Sequence, residues 1–153
     1  MTNNNKTFEE LIMERVIRSE TDDDGNIFEY DINDNLIHYE EPDNFEAWYE
    51  YDDSGNEIHS KNSIGIEEWK SYDSQGNLTH YKTSNGYEEW YDYNSQGRKT
   101  HYKASNGYEE NWEYDTQGHV IYYSDSKGYE EWYKYDDKGH LIYFKEEAET
   151  ELN

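Results

Sequence analysis

Polar and apolar residues alternate along most of this chain in short runs that end at glycine-containing turns. Residues 87–107, YEEWYDYNSQGRKTHYKASNG, hold two such runs, one before and one after a turn that ends at Gly97. Alternation with a period of two is typical of β-strands, and glycine supplies the positive φ that tight hairpin turns require. The segment therefore predicts one β-hairpin.

This hairpin pattern recurs with a period of 21 residues. The other copies lie at 45–65, 66–86, 108–128 and 129–149, and a shortened copy lies at 28–44. A fixed period indicates a repeat architecture, and two strands per 21 residues leave no room for parallel crossovers. We predict an all-β fold, an antiparallel meander of repeated 21-residue β-hairpins that forms a single twisted or spiralling sheet.

A short capping helix is predicted ahead of the repeats, over residues 7–19. Thr7 and Glu10 have the spacing of a capping box, which marks a helix N-terminus. Apolar residues follow at helical spacing: Phe8, Leu11, Ile12 and Val16. Terminal elements of repeat proteins cover the apolar surface of the first repeat, so we interpret this helix as an end cap. A partner-binding helix is the alternative.

We interpret residues 1–153 as a single repeat domain. It comprises the capping helix, a shortened acidic first repeat at 20–44, five full repeats at 45–149 and an acidic tail at 146–153. There is no Cys, which excludes disulfides and thiolate metal sites. No apolar run suited to a secretory signal or a membrane span is visible, so we expect a cytoplasmic protein, of a host cell if it is phage-encoded.

Stacking the repeats aligns four columns of side chains. The tryptophan column is Trp48, Trp69, Trp90, Asn111 and Trp132, and the tyrosine column is Tyr30, Tyr51, Tyr72, Tyr93, Tyr114 and Tyr135. A β-branched column holds Ile37, Ile58, Thr79, Thr100, Ile121 and Ile142, beside His38, His59, His80, His101, Tyr122 and Tyr143. Alternation assigns the β-branched and histidine columns to opposite faces. Such columns favour cross-strand pairing.

The motif Y-x-Y-D-x-x-G resembles the YD repeats of the RHS (rearrangement hotspot) family. It is carried by residues 91–97 and 133–139, and related sequence covers 49–58 and 72–79, so that the resemblance spans about residues 28–149. Membership implies long β-hairpin ribbons that can spiral into shells. Large members of the family enclose toxins or act at cell surfaces, and this chain has too few repeats for a closed shell.

The sequence predicts no enzyme, no metal site and no cofactor. The four histidines at 38, 59, 80 and 101 recur at the repeat length, which places them about 10 Å apart, too far to share one metal ion. The adjacent glutamates of each repeat alternate between faces, whereas paired catalytic carboxylates converge on one cleft. No nucleophile elbow or phosphate loop is present. The histidines are interpreted as a packing column.

Charge leads to the main functional hypothesis. The net charge is −24, and residues 1–60 hold 18 acidic residues against Lys6, Arg15 and Arg18. Direct binding to nucleic acid or to an anionic membrane is therefore disfavoured. Spread over two to three hairpins, the N-terminal charge approaches roughly 0.6 per Å, the density of duplex DNA. We predict an inhibitor that blocks the basic surface of a nucleic-acid-binding effector or nuclease by DNA or RNA mimicry, of anti-CRISPR or anti-restriction type.

The predicted contact set for this basic protein partner is acidic and lies between residues 22 and 53. It comprises Asp22, Asp23, Asp24, Glu29, Asp31, Asp34, Glu40, Glu41, Asp43, Glu46, Glu50, Asp52 and Asp53. The alternative is an aromatic-lined module of YD-repeat type that binds carbohydrate or a cell surface. A third hypothesis is a structural fragment of a larger repeat array, and the charged tail and the capping helix argue against it.

Overall fold

The computed structural model describes residues 6–148. One helix, α1 (Phe8–Met13), precedes thirteen strands. The strands are β1 (Arg18–Thr21), β2 (Ile27–Tyr30), β3 (Leu36–Glu40), β4 (Glu46–Tyr51), β5 (Glu57–Asn62), β6 (Glu67–Tyr72), β7 (Leu78–Thr83), β8 (Glu88–Tyr93), β9 (Lys99–Ala104), β10 (Glu109–Tyr114), β11 (Val120–Asp125), β12 (Tyr129–Tyr135) and β13 (Leu141–Ala148).

All thirteen strands belong to one antiparallel sheet in which strand order equals sequence order. Among the described residues the sheet is unclosed, with β1 and β13 at its ends. The predicted meander of repeated hairpins preceded by a short helix is confirmed. Residues 149–153 of the predicted acidic tail lie outside the described residues, and residues 146–148 belong to β13.

Contacts divide the described chain into two compact units. The first comprises the residues up to Tyr72 together with Tyr81–Gly86, and holds α1 and β1 to β6. The second comprises Asp73–His80 and the residues from Tyr87 onward, and holds β8 to β13.

The helix begins at the predicted capping box and ends earlier than predicted. The Glu10 amide donates to Thr7 Oγ1 at 3.2 Å, and the Thr7 amide donates to Glu10 Oε2 at 2.9 Å. The helix ends at Met13 rather than at residue 19. The Ile17 amide donates to the Tyr30 carbonyl at 2.9 Å, because the following residues pair with β2. Strand pairing thus replaces the last predicted helical turn.

An aspartate anchors the turn between the two strands of a repeat. Asp52 Oδ1 accepts the amides of Ser54 and Asn56 at 2.9 Å, and Oδ2 accepts the Asn56 side chain at 2.9 Å. Gly55, with φ of 83°, closes the turn in a conformation that side chains disfavour. Equivalent anchors are Asp22, Asp31, Asp73, Asn94, Asp115 and Asp136.

In three repeats the tyrosine before the anchoring aspartate is hydrogen-bonded to the preceding repeat. Tyr51 Oη donates to the Leu36 carbonyl at 2.9 Å, Tyr72 Oη to the Glu57 carbonyl at 2.9 Å, and Tyr114 Oη to the Lys99 carbonyl at 2.6 Å. Burial raises the pKa of Tyr51 to about 12. In the Tyr-Asp pair, the aspartate carboxylate therefore accepts hydrogen bonds within its own turn. The tyrosine hydroxyl donates a hydrogen bond to the preceding repeat.

A β-bulge lies beside five of these turns. Glu29 pairs with His38 and Tyr30 pairs with Leu36, so Ile37 has no opposite residue. The same register shift leaves out Ile58, Thr100, Ile121 and Ile142. A bulge re-aims the side chain of the extra residue. The β-branched column of the sequence is thus the column of bulge residues.

The buried core of the first unit forms where α1 meets a bulge residue. Ile12 and Ile37, both at most 1% exposed, pack with Trp48, and Phe8, Val16 and Tyr51 pack around them. Strict alternation had assigned the β-branched column to the face opposite His38. That assignment is wrong for Ile37, because the bulge brings it into one cluster with Trp48, a direct cross-strand neighbour of His38.

Replacing Ile37 with Ala should lower the free energy of unfolding by about 2–4 kcal/mol, because it opens a cavity beneath α1. Ile32→Ala is the matched control, since Ile32 is 78% exposed, and it should change stability by less than about 0.5 kcal/mol. Urea unfolding followed by tryptophan fluorescence measures both. Equal losses in the two variants would contradict the proposed core.

The anchoring carboxylates should make stability fall in acid. Donation from His119, at 2.9 Å, together with backbone amides lowers the pKa of Asp115 from its usual 3.8 to about 2. A lowered folded-state pKa stabilises the fold above the unfolded value, and this contribution is lost as pH falls from about 4 to about 2. His119→Ala should raise the Asp115 titration midpoint, measured by carboxyl NMR. His140→Ala should leave that midpoint unchanged, and an unshifted midpoint in His119→Ala would refute the assignment.

Candidate interaction surface

Histidines and tryptophans stack across neighbouring strands on one side of the strands of each unit, which we call the His/Trp face. The stacked pairs are His38–Trp48, His59–Trp69 and His80–Trp90, with ring centroids 5.4, 5.2 and 5.3 Å apart. A glutamate from the following strand contacts the Nε2 atom of each histidine: Glu46 at 3.3 Å, Glu67 at 2.9 Å and Glu88 at 2.9 Å. These histidines are packing groups held by carboxylates.

In the first unit, α1 covers part of the His/Trp face. The Phe8 ring lies 4.0 Å from the His59 ring, and Glu9 Oε1 lies 2.5 Å from Lys61 Nζ. Beyond the helix, Arg15 lies 3.4 Å from Glu50. Apolar packing in the middle is therefore flanked by an ion pair on each side.

In the second unit, a groove of about 890 Å³ opens on the His/Trp face across β10 to β13. Its walls are mainly apolar and aromatic. The lining residues are Glu113, Asp115, Ile121, Tyr122, Glu130, Trp132, Tyr133, Lys134, Tyr135 and Ile142. Concave sites with apolar walls and a few charged groups are typical binding sites. Ile142 is 65% exposed, so part of the apolar lining of the groove is in contact with solvent.

The opposite side of the second unit carries tyrosines gathered around carboxylates. Glu89 accepts from Tyr87 at 2.8 Å, from Tyr102 at 2.7 Å and from Tyr91. Burial acts to raise the pKa of Glu89, but the three hydroxyl donors prevail and lower it. Burial and the hydrogen bonds to Tyr87 and Glu89 raise the pKa of Tyr102. These groups satisfy one another, so this side is scaffold.

The same carboxylate–tyrosine cluster recurs in the later repeats. Glu110 accepts from Tyr108 and Tyr123 at 3.0 and 2.9 Å. Glu131 accepts from Tyr129 and Tyr133 at 2.8 and 2.5 Å. The second glutamate of each adjacent pair in these repeats is thus an acceptor for tyrosine hydroxyls.

The last strand, β13, is an exposed sheet edge. All eight of its residues are exposed, and β12 is its partner in the sheet. Leu141, Ile142, Tyr143 and Phe144 are between 43% and 65% exposed. Exposed apolar strands at a sheet edge are templates for further pairing.

The acidic residues predicted as a contact set are spread over different structural roles. Three are turn anchors: Asp22, Asp31 and Asp52. Five contact side chains of the same unit: Glu29 and Glu46 contact His38, Glu41 contacts Tyr39, Glu50 contacts Arg15, and Asp34 contacts Arg18. The remaining residues are the exposed Asp23, Asp24, Asp43 and Asp53 and the half-buried Glu40. Their contact role stays a prediction.

Sequence reasoning missed the groove residues. The signal was present in the aligned columns, where the combination Ile, Trp and Tyr that meets α1 appears again at Ile121, Trp132 and Tyr135. The bulge that brings Ile121 toward the tryptophan column does not show in the alternation pattern.

No helix among the described residues is long and apolar enough to cross a membrane. Within residues 6–148, no group of three or more His, Asp or Glu side chains is placed to hold a metal ion. No curated protein matches the sequence significantly.

Solved structures with the same fold come from toxin complexes. A crystal structure of TcdB2-TccC3 matches with a TM-score of 0.66 and 15% identity over 84% of this chain, and TcdB2-TccC3 without its hypervariable C-terminal region matches with 0.61 and 17% over 85%. The Photorhabdus luminescens Tc holotoxin pore matches with 0.57 and 15% over 83%. The chain spans 8–9% of the length of these proteins. At these identities the likeness establishes the fold.

The family model for the teneurin YD-shell matches residues 7–152. This match confirms the predicted YD-repeat family and contradicts the hypothesis of a nucleic-acid mimic of anti-CRISPR type. The acidic N-terminal third lies inside the match, and its carboxylates include the turn anchors of ordinary repeats. The hypothesis was wrong because it considered only the number of acidic residues. It did not consider that several of them accept hydrogen bonds in the turns. Because the match covers nearly the whole sequence, this chain belongs to the teneurin YD-shell family.

Proposed function

We propose that this chain is a structural wall module of YD-shell type, which binds further YD-repeat sheet by strand addition at β13. The observation that carries the proposal is the exposed edge of β13, eight residues long and apolar at four positions. The chain spans only 8–9% of its structural neighbours, which is the scale of one section of a larger wall.

The two ends of the sheet differ in a way that favours β13. The strand β1 has four residues, and Arg18 there forms ion pairs with Glu20 and Asp34. Short, charged edges discourage pairing, whereas a long apolar edge supports it. The direction of extension is therefore from β13 onward.

A lysine of β13 occupies a position at which two earlier lysines lie opposite a glutamate of the next repeat. Lys61 lies opposite Glu67, and Lys103 lies opposite Glu109 with Nζ 2.6 Å from Oε1. Lys145 occupies the same repeat position as Lys61 and Lys103, and it contacts Glu147 of its own strand. A following YD strand would offer Lys145 the glutamate that the two earlier lysines meet.

The backbone of β13 is also aligned for addition. The Asn62 amide donates to the Ile66 carbonyl at 3.0 Å, and the Ala104 amide donates to the Tyr108 carbonyl at 2.8 Å, each toward the next strand. Glu146 holds the equivalent repeat position. Its amide is therefore expected to face the outer edge, away from β12.

Adding one more copy of residues 129–149 after residue 149 tests the proposal. The added strand should protect the Glu146 amide from hydrogen exchange and raise the melting temperature, because it pairs the outer edge of β13. Hydrogen exchange followed by NMR and thermal unfolding measure the two effects. Absence of protection at Glu146 would overturn the proposal.

Two control variants separate pairing from general stabilisation. Glu146→Pro in the extended chain removes the outward donor and should abolish the gain in melting temperature. A second extended chain carries lysine at the added glutamate that faces Lys145, which places like charges opposite each other. It should show weaker protection than the native copy, and equal protection would contradict the pairing of Lys145 with that glutamate.

A further inference from the structure

We propose that the groove across β10 to β13 binds a short amphipathic helical segment, in the manner in which α1 occupies its own site. The partner is a protein segment with apolar residues at the spacing of Phe8, Ile12 and Val16 and with acidic residues on both sides. This proposal concerns the His/Trp face and does not depend on strand addition at the β13 edge.

The groove repeats the apolar core residues of the α1 site. The core under α1 uses Ile37, Trp48 and Tyr51. The residues four repeats of 21 later are Ile121, Trp132 and Tyr135, and all three line the groove. Both isoleucines are bulge residues, so the backbone presents them alike. The residues that form the helix-binding surface under α1 therefore occur again in the groove. Among the described residues, no helix covers the groove.

The repeat after the α1 site keeps this combination at Ile58, Trp69 and Tyr72, but the next two repeats have Thr79 and Thr100 in place of the isoleucine. The bulge position is Thr100 in the repeat before the groove, and the tryptophan column holds Asn111 there. A threonine and an asparagine would place polar groups against an apolar helix face, which costs free energy unless they are hydrogen-bonded. The apolar combination therefore returns at the groove after two repeats that lack it.

Two lysines set the charge of the partner at two positions, whereas the three acids that line the groove are also acids at the same repeat positions of the α1 site. Lys61, which pairs with Glu9 of α1, has its counterpart in Lys145. Glu50, which pairs with Arg15, has its counterpart in Lys134, a groove residue. The position of Lys61 keeps its positive charge at Lys145, and the position of Glu50 becomes positive at Lys134. A segment that fits the groove therefore carries an acidic residue opposite each lysine.

This reversal argues against a second copy of α1 as the occupant. In α1, Arg15 lies 3.4 Å from Glu50 and 3.9 Å from Asp31. At the groove, Arg15 would meet Lys134, and the counterpart of Asp31 is Asp115, which is engaged by His119 at 2.9 Å. The groove therefore fits a different segment of the α1 type, with an acid where α1 has Arg15.

The experiment tethers two probe segments to the full chain through a flexible Gly/Ser linker of about 20 residues at residue 153. One probe has the sequence of residues 6–17, and the other carries Arg15→Glu. Tethering supplies an effective concentration near millimolar, so weak docking is measurable. Methyl NMR of Ile121 and Ile142 reports the docked fraction. The Arg15→Glu probe should have a docked-to-free ratio about 1.4- to 5-fold higher, the range of exposed ion pairs.

Two variants of the chain decide the outcome. Lys134→Glu should reverse the order of the two probes, because the unchanged Arg15 then meets a glutamate as it does at Glu50. Ile121→Asp should abolish docking, whereas Thr100→Asp, at the equivalent bulge position one repeat earlier, should leave it unchanged. The proposal is overturned if neither probe shifts the Ile121 and Ile142 methyls, or if Lys134→Glu leaves the order as before. Docking that survives Ile121→Asp would assign the probe to another surface and also overturn it.

Discussion

The turn that an aspartate holds between the two strands of a repeat is the constraint on which the rest of the structure depends. At Asp52 one carboxylate fixes the amides two and four residues ahead, and the chain reverses with an extra residue on the returning strand. That extra residue is the bulge, and the bulge places a β-branched side chain beside the tryptophan column. The core beneath α1 and the groove near the last hairpin both follow from this local geometry.

Much of the fold was predictable because its determinants are local. The 21-residue period, the turn glycines and the capping box of Thr7 and Glu10 each act within a few residues, and the structure confirms them. The helix length was not predictable in this way, since Ile17 pairs with Tyr30, 13 residues distant. The bulge was missed for a related reason. Alternation assumes that every residue has a partner across the ladder, and Ile37 has none.

The acidic composition gave the most misleading signal about function. Net charge counts each carboxylate equally, but the structure gives these groups different tasks. Asp31 is 4% exposed and holds a turn, and Glu29 contacts His38. Glu89 collects three tyrosine hydroxyls. Many acidic residues of this chain form its turns and cross-strand contacts. Its negative net charge is therefore explained in part by the fold, and it does not by itself indicate a partner.

The bulge residue has a freedom that its neighbours lack. It faces no partner across the ladder, so exchanging threonine for isoleucine there leaves strand register untouched, as the shared pairing around Thr100 and Ile121 shows. The bulge position of a repeat can therefore be apolar or polar while the backbone stays the same. If helical segments dock as proposed, the order of threonines and isoleucines along such a ribbon sets the positions at which they can attach.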